Sequence, residues 1–138
     1  MSDSPIRRLV DAMDRLDVDA LVASFAPAGK LMTADGRHAE GHAALRELLI
    51  EFFGGLRSTT HTVTEEWNQD SVWIAEIDAS YELRDWLQLN NLPRAFIART
   101  GPEGIEDLRV YGAHEHPIAE HRTGEEGMWV GSRWIPPL

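Results

Sequence analysis

The stretch from Val72 to about Leu89 limits the possible folds more than any other part of the chain. Within it Glu76, Asp78, Ser80, Glu82 and Arg84 alternate with Ala75, Ile77, Ala79, Tyr81, Leu83 and Leu87. Successive side chains of an extended chain point to opposite faces, so a period of two predicts a half-buried antiparallel strand with one apolar face and one polar face. Other extended segments lie on either side. His61 to Trp67 alternates and ends in the turn residues Asn68, Gln69, Asp70 and Ser71. Asn90-Asn91 is expected to break the long strand, and Arg94 to Thr100 forms the next one. The Gly101-Pro102-Glu103-Gly104 turn then leads into a last strand from Ile105 to about His116, stopped by Pro117.

The first third has the other period. Ser4 can cap a helix and Pro5 suits its first position, with Ile6, Leu9, Val10, Met13 and Leu16 on one face. Asp17 can cap a second helix with Val18, Leu21, Val22 and Phe25 inward, stopped before Pro27. A short strand from Lys30 to Thr33 and the Ala34-Asp35-Gly36 turn precede a third helix, opened by Gly41 and running through Leu45, Leu48, Leu49, Phe52, Phe53 and Leu56. Helices followed by a meander of strands predict an α+β domain, with three N-terminal helices packed on one face of a strongly bent antiparallel sheet.

The 138 residues suit one domain, expected over residues 1–118. Residues 119–138 form a tail in which Trp129, Val130, Trp134 and Ile135 call for burial on the domain or on a partner subunit. Thirteen Lys and Arg against 23 Asp and Glu give a net charge of −10, which argues against nucleic acid or an anionic membrane as partner. The absence of cysteine excludes disulfides, thiolate metal sites and thiol nucleophiles. The first eight residues carry no apolar signal segment, and a cytoplasmic location is expected.

Three local stretches, in their order, resemble the SnoaL-like (nuclear transport factor 2-like) superfamily. Asp17 to Pro27 is similar to that family's second helix and exit, Gly41 to Arg46 to the opening of its third helix, and Glu103 to Tyr111 to the turn into its last long strand. The resemblance spans residues 5 to about 117 and implies a cone-shaped fold with a cavity between sheet and helices. It does not carry one activity, because members include polyketide cyclases, ketosteroid isomerases, limonene epoxide hydrolases, scytalone dehydratases and non-catalytic domains. The ketosteroid isomerase acids are replaced here by Leu9, Thr33 and Phe96 or Ile97, and the epoxide hydrolase arginines by Leu83 and Glu76. Scytalone dehydratase matches in part: His61 precedes Trp67 as that family's first catalytic histidine precedes a tryptophan, but its second histidine falls on Arg84, Asp85 or Trp86.

Strand parity selects candidate site residues independently. Asp85 shares the register of Ala75 to Leu83, His61 that of Val63 and Trp67, and His114 that of Leu108, Val110 and Gly112. If those faces point inward, His61, Tyr81, Asp85 and His114 converge on one cavity, with Trp67, Phe96, Leu108 and Val110 contacting an apolar substrate. A histidine–carboxylate pair can move a proton beside a carbonyl while a tyrosine hydroxyl steadies the enolate. The expectation is His61 as base or acid, Asp85 as its partner, Tyr81 as oxyanion donor and His114 as a second acid. The activity would be that of a cofactor-independent lyase or isomerase, of dehydratase or cyclase type, on a small apolar carbonyl compound. Each residue also has a structural reading: Asp85 at a bulge or cavity mouth, Tyr81 in the core, His61 and His114 at strand ends. The alternative function is a non-catalytic ligand-binding or dimerisation domain. No metal is expected, since His114, His116 and His121 lack a completing ligand, and a homodimer is expected because Trp73, Trp86, Trp129 and Trp134 need cover.

Overall fold

The computed structural model describes residues 4–112 and, in the tail, the short strands 128–130 and 133–135. Two helices open the chain, α1 (Pro5–Asp14) and α2 (Val18–Ala23), each capped as its sequence dictates. The Ser4 hydroxyl accepts from the Arg7 amide at 3.1 Å and an Asp17 carboxylate oxygen from the Ala20 amide at 3.0 Å. Strands β1 (Phe25–Met32) and β2 (His38–Glu40) follow, then α3 (His42–Gly54). Four long strands complete the domain: β3 (Leu56–Gln69), β4 (Val72–Leu83), β5 (Gln88–Gly101) and β6 (Gly104–Gly112). In the tail β7 (Met128–Val130) and β8 (Arg133–Ile135) pair antiparallel, with Trp129 opposite Trp134.

The six strands β1–β6 form one sheet in the order β2-β1-β6-β5-β4-β3. It is mixed, not antiparallel as the meander suggested, because β1 runs parallel to β6 with Leu31 opposite Leu108. That pairing lets the chain enter the sheet beside β6 directly from the N-terminal helices, and it needs close backbone approach. A Cβ on Gly29 would lie 2.7 Å from the Ile105 carbonyl oxygen, and one on Gly104 would lie 2.8 Å from that of Ser24. Phe25, expected on the second helix, instead begins β1, and Leu56, expected on the third, begins β3.

The inner sheet face packs under α1, α2 and α3 through Ala75, Ile77, Ala79, Tyr81, Phe96, Ala98 and Leu108, which join Ile6, Leu9, Leu21, Leu45 and Phe53 in one buried cluster. The outer face leaves Trp67 and Ile74 exposed. None of the described helices is long and apolar enough to cross a membrane.

Three departures from simple alternation decide which residues face the core. β3 carries an extra residue between Val63 and Glu65, a bulge that exchanges its two faces from there on. Glu66 therefore turns in, where it bonds Ser4 and, at 3.1 Å, Arg7 of α1. Trp67 turns out, opposite Ile74. The long strand read from Val72 to Leu89 is two strands, because the chain turns at residues 84–87, with the Leu83 amide donating to the Leu87 carbonyl at 2.8 Å and Trp86 at φ 73°. Asn90-Asn91 does not break β5. Asn91 sits at φ 59° in a bulge and donates its amide to the Ser80 hydroxyl.

Candidate functional site

The register gathers polar side chains at one end of the inner sheet face. Thr59 of β3 lies opposite Tyr81 of β4, and His61 opposite Ala79. Arg94 of β5 lies opposite Gly112 of β6, and Met32, just before the β1–β2 turn, lies opposite Arg109. The start of β3, the end of β4, the start of β5 and the ends of β6 and β1 thus share an edge, which brings His61, Tyr81, Arg94 and the turn residues Thr33 to Arg37 together.

Tyr81, Arg94, Phe96, Leu108, Val110, Thr33, Asp35 and Arg37 line a cavity of about 90 Å³, closed on the helix side by Leu9, Met13, Leu21, Leu48, Leu49 and Phe52. An apolar void of about 150 Å³ accepts benzene. This cavity therefore suits a branched chain, or a single ring only with some movement of its walls. On its half-buried side Arg37 bonds Asp35 at 3.1 Å and Glu51 of α3 at 2.6 Å, tying the β1–β2 turn to that helix.

His61 is held from two directions. Its Nδ1 lies 2.8 Å from one Asp14 carboxylate oxygen, and its backbone amide donates to the other at 3.1 Å. A carboxylate accepts, so Nδ1 carries the proton and Nε2 presents its lone pair in the neutral ring. The side chain is 1% exposed, and Nε2 is buried with no hydrogen-bond partner among the described residues. The ring packs edge-on against Tyr81 and tilted against Phe96, with centroids 5.9 and 6.3 Å away. Both of those rings line the cavity, so the imidazole stands directly against its wall.

Burial raises the Tyr81 pKa above the usual tyrosine value; a hydrogen bond and the charge of Arg94 oppose this, and Asp14 adds to it. The phenol thus keeps its proton at neutral pH and has an O–H to donate. Because the folded-state value lies above the unfolded one near 10, this group's contribution to stability is complete below about pH 10 and is lost as pH rises through the folded value. Chemical denaturation between neutral pH and pH above about 10 should show that loss in the wild type and a flatter profile in Tyr81→Phe. Equal slopes would mean the hydroxyl is solvated.

Tyr81, Leu108 and Val110 face the cavity as parity placed them, Phe96 lines it too, and His61 is buried beside them. Asp85 does not partner His61. It is exposed in the turn after β4, where it accepts from the Leu87 amide at 3.2 Å. Trp67 does not touch the cavity, because the β3 bulge puts it on the outer face, 49% exposed. His114 lies outside the described residues.

Sequence parity missed Asp14 and Arg94, yet both left a signal. Asp14 falls four residues after Val10 on the apolar stripe of α1, and a carboxylate in a helix's last turn opposes the macrodipole. Arg94 shares the buried register of Phe96 and Ala98. Among the described residues no group of three or more His, Asp or Glu could hold a metal ion.

The SnoaL-like domain profile matches residues 6–105. A Catenulispora acidiphila protein with a ketosteroid isomerase-like fold, solved with trimethylamine, superposes with a TM-score of 0.76 at 16% identity, covering 86% of this chain and 92% of that one. A Shewanella denitrificans protein assigned as a SnoaL-like polyketide cyclase gives 0.72 at 7% identity, over 86% and 95% of the chains. A Streptomyces galilaeus protein assigned as a hydroxylase gives 0.69 at 9%, over 86% and 93%. At these identities the likeness is one of fold. No curated protein matches the chain in sequence.

Proposed function

The chain belongs to the SnoaL-like domain family, and on that premise we propose that it is a cofactor-independent lyase or isomerase acting on a small, largely apolar carbonyl compound. The observation that carries this reading is the buried Asp14–His61 pair, whose Nε2 has no partner among the described residues beside a cavity that also holds Tyr81. A carbonyl oxygen accepting from Tyr81 would have its α-carbon proton drawn off by Nε2. The electron pair would move onto the oxygen, where the Tyr81 hydroxyl stabilises it, and the proton would return from the imidazolium to the same carbon or to another. Asp14 would fix the tautomer and stabilise the charged ring, as carboxylates do in other acid–base dyads. The size of the cavity favours a branched-chain or single-ring substrate over a polycyclic one.

Deuterium exchange tests this directly. In heavy water the protein should accelerate exchange at the α-carbon of methyl isobutyl ketone above the buffer rate, followed by NMR. No acceleration for this or other small ketones would overturn the catalytic role. A second reading, non-catalytic binding, is favoured by one observation: His61 stands against the cavity wall without itself lining it. Under that reading ketones bind and exchange stays at background.

The same proposal includes a sheet bent into a cone around the cavity, a cytoplasmic location, and a homodimer formed through the outer sheet face. Trp67 and Ile74 pair across β3 and β4 there, and both are exposed. Light scattering should give twice the chain mass at micromolar concentration, and a monomer would overturn the dimer.

A further inference from the structure

We propose that Glu66 is a positioning residue for the Asp14–His61 pair: by holding the first turn of α1, it sets the point on β3 at which Asp14 meets His61. This rests on the proton-transfer reading above and adds to it the element that aims the base.

A carboxylate bonds α1 to β3 at each end of the helix. At its last residue, Asp14 accepts from both the backbone amide and Nδ1 of His61. At its first turn the direction is reversed, and the carboxylate is that of Glu66 on β3. One of its oxygens accepts from the Ser4 hydroxyl, the other from Arg7 Nε at 3.1 Å. The same Ser4 hydroxyl caps the helix by accepting from the Arg7 amide at 3.1 Å, so Glu66 holds the cap itself. Ser4 is fully buried, and the Glu66 side chain is 13% exposed. Glu66 owes its aim to the β3 bulge: the extra residue between Val63 and Glu65 puts it opposite Ala75 on the inner face. A carboxylate is costly to bury, and re-aiming one side chain is what a bulge beside a site achieves.

Packing alone does not fix the helix so closely. Ile6, Leu9, Val10 and Ala12 bury one face of α1, but apolar contact is non-directional and leaves freedom to tilt and slide. The two carboxylates remove that freedom. The ten residues of α1 span about 15 Å, so a tilt of about 4° displaces one end against the other by about 1 Å. Both Asp14 oxygens are engaged, and such a displacement would stretch a bond to His61. An error of about 1 Å in placing a catalytic group can cost roughly a hundredfold in rate.

Exchange of methyl isobutyl ketone in heavy water and the proton spectrum of the full chain in ordinary water test this together. The buried Nδ1 proton of His61, shared with a carboxylate, should give a downfield resonance, identified by its loss in His61→Gln. Glu66→Ala should shift or broaden that resonance. It should also slow exchange roughly tenfold or more with ketone affinity within about twofold, at temperatures where the variant is folded. Glu66→Gln keeps the length and an acceptor oxygen, and should recover part of the lost rate. Should Glu66→Ala not fold, Arg7→Met removes one of the two bonds and should give the same changes in smaller measure. Exchange at the wild-type rate in Glu66→Ala, or exchange and affinity falling in step, would overturn the proposal and leave Glu66 an anchor of the helix alone. If the wild type does not exchange the ketone, the proton-transfer reading falls. The resonance then decides the placement of Asp14: a moved signal in Glu66→Ala upholds it, and an unchanged one overturns it.

Discussion

Asp14→Asn is expected to slow α-carbon exchange of a bound ketone by roughly a hundredfold, the usual scale of a positioned general base, with ketone affinity within a factor of two or so of the wild type. An asparagine oxygen can still accept from His61 Nδ1, but the amide nitrogen now facing the His61 backbone N–H is a donor, so one of the two bonds is replaced by a clash of donors. More important, an amide does not stabilise an imidazolium, and the neutral ring is freed to take the other tautomer. His61→Gln should reduce exchange at least as far, because it removes the base itself. Exchange rates and dissociation constants from the same NMR samples separate the two roles. If both variants lose ketone affinity in step with exchange, the pair shapes the pocket and does not move protons.

The dyad also shows where reading by parity succeeds and where it stops. The inward face of β4 was legible because the extra residues lie on its neighbours β3 and β5, so β4 itself keeps period two from Ala75 to Leu83. His61 and Phe96 follow for the same reason, each lying in a stretch of strand free of bulges. Trp67 fails because a single extra residue at Thr64 reverses every later side chain of β3, and nothing in Thr-Val-Thr-Glu-Glu announces it. Asp85 fails for a different reason. Asp85 and Trp86 break the polar–apolar rhythm for only two positions before Leu87 falls back into register, so the pattern reads as one strand where the hydrogen bonds have already closed a loop. The carboxylate partner comes from α1, forty-seven residues earlier, and a pairing over that distance is set by how the helix lies on the sheet. The parallel pairing of β1 with β6 is likewise a long-range choice. Its traces are the glycines that permit it, Gly29 and Gly104, which read equally well as turn residues.

The last expectation concerns Phe96, which belongs to the core and to the cavity at once. Its ring is 1% exposed, lies between Ala75 of β4 and Val110 of β6 in register, packs on the His61 imidazole and forms part of the cavity wall. Phe96→Ala should cost about 3–5 kcal/mol, the range for truncating a buried phenylalanine. For a chain of this size that corresponds to a fall in melting temperature of roughly 10–20 °C. The space left behind adjoins an existing cavity, so it should merge with it and become accessible to ligand. Benzene should therefore raise the melting temperature of Phe96→Ala by several degrees more than that of the wild type, since a ligand bound to the folded state alone stabilises it by mass action. With the ring gone His61 loses one of its two aromatic neighbours. Exchange should fall in this variant even at temperatures where it is fully folded, and benzene should not restore it. A loss of less than about 1 kcal/mol would mean that neighbouring side chains collapse into the space. A melting temperature insensitive to benzene would mean that the new space is sealed from the cavity and that Phe96 is not part of its wall.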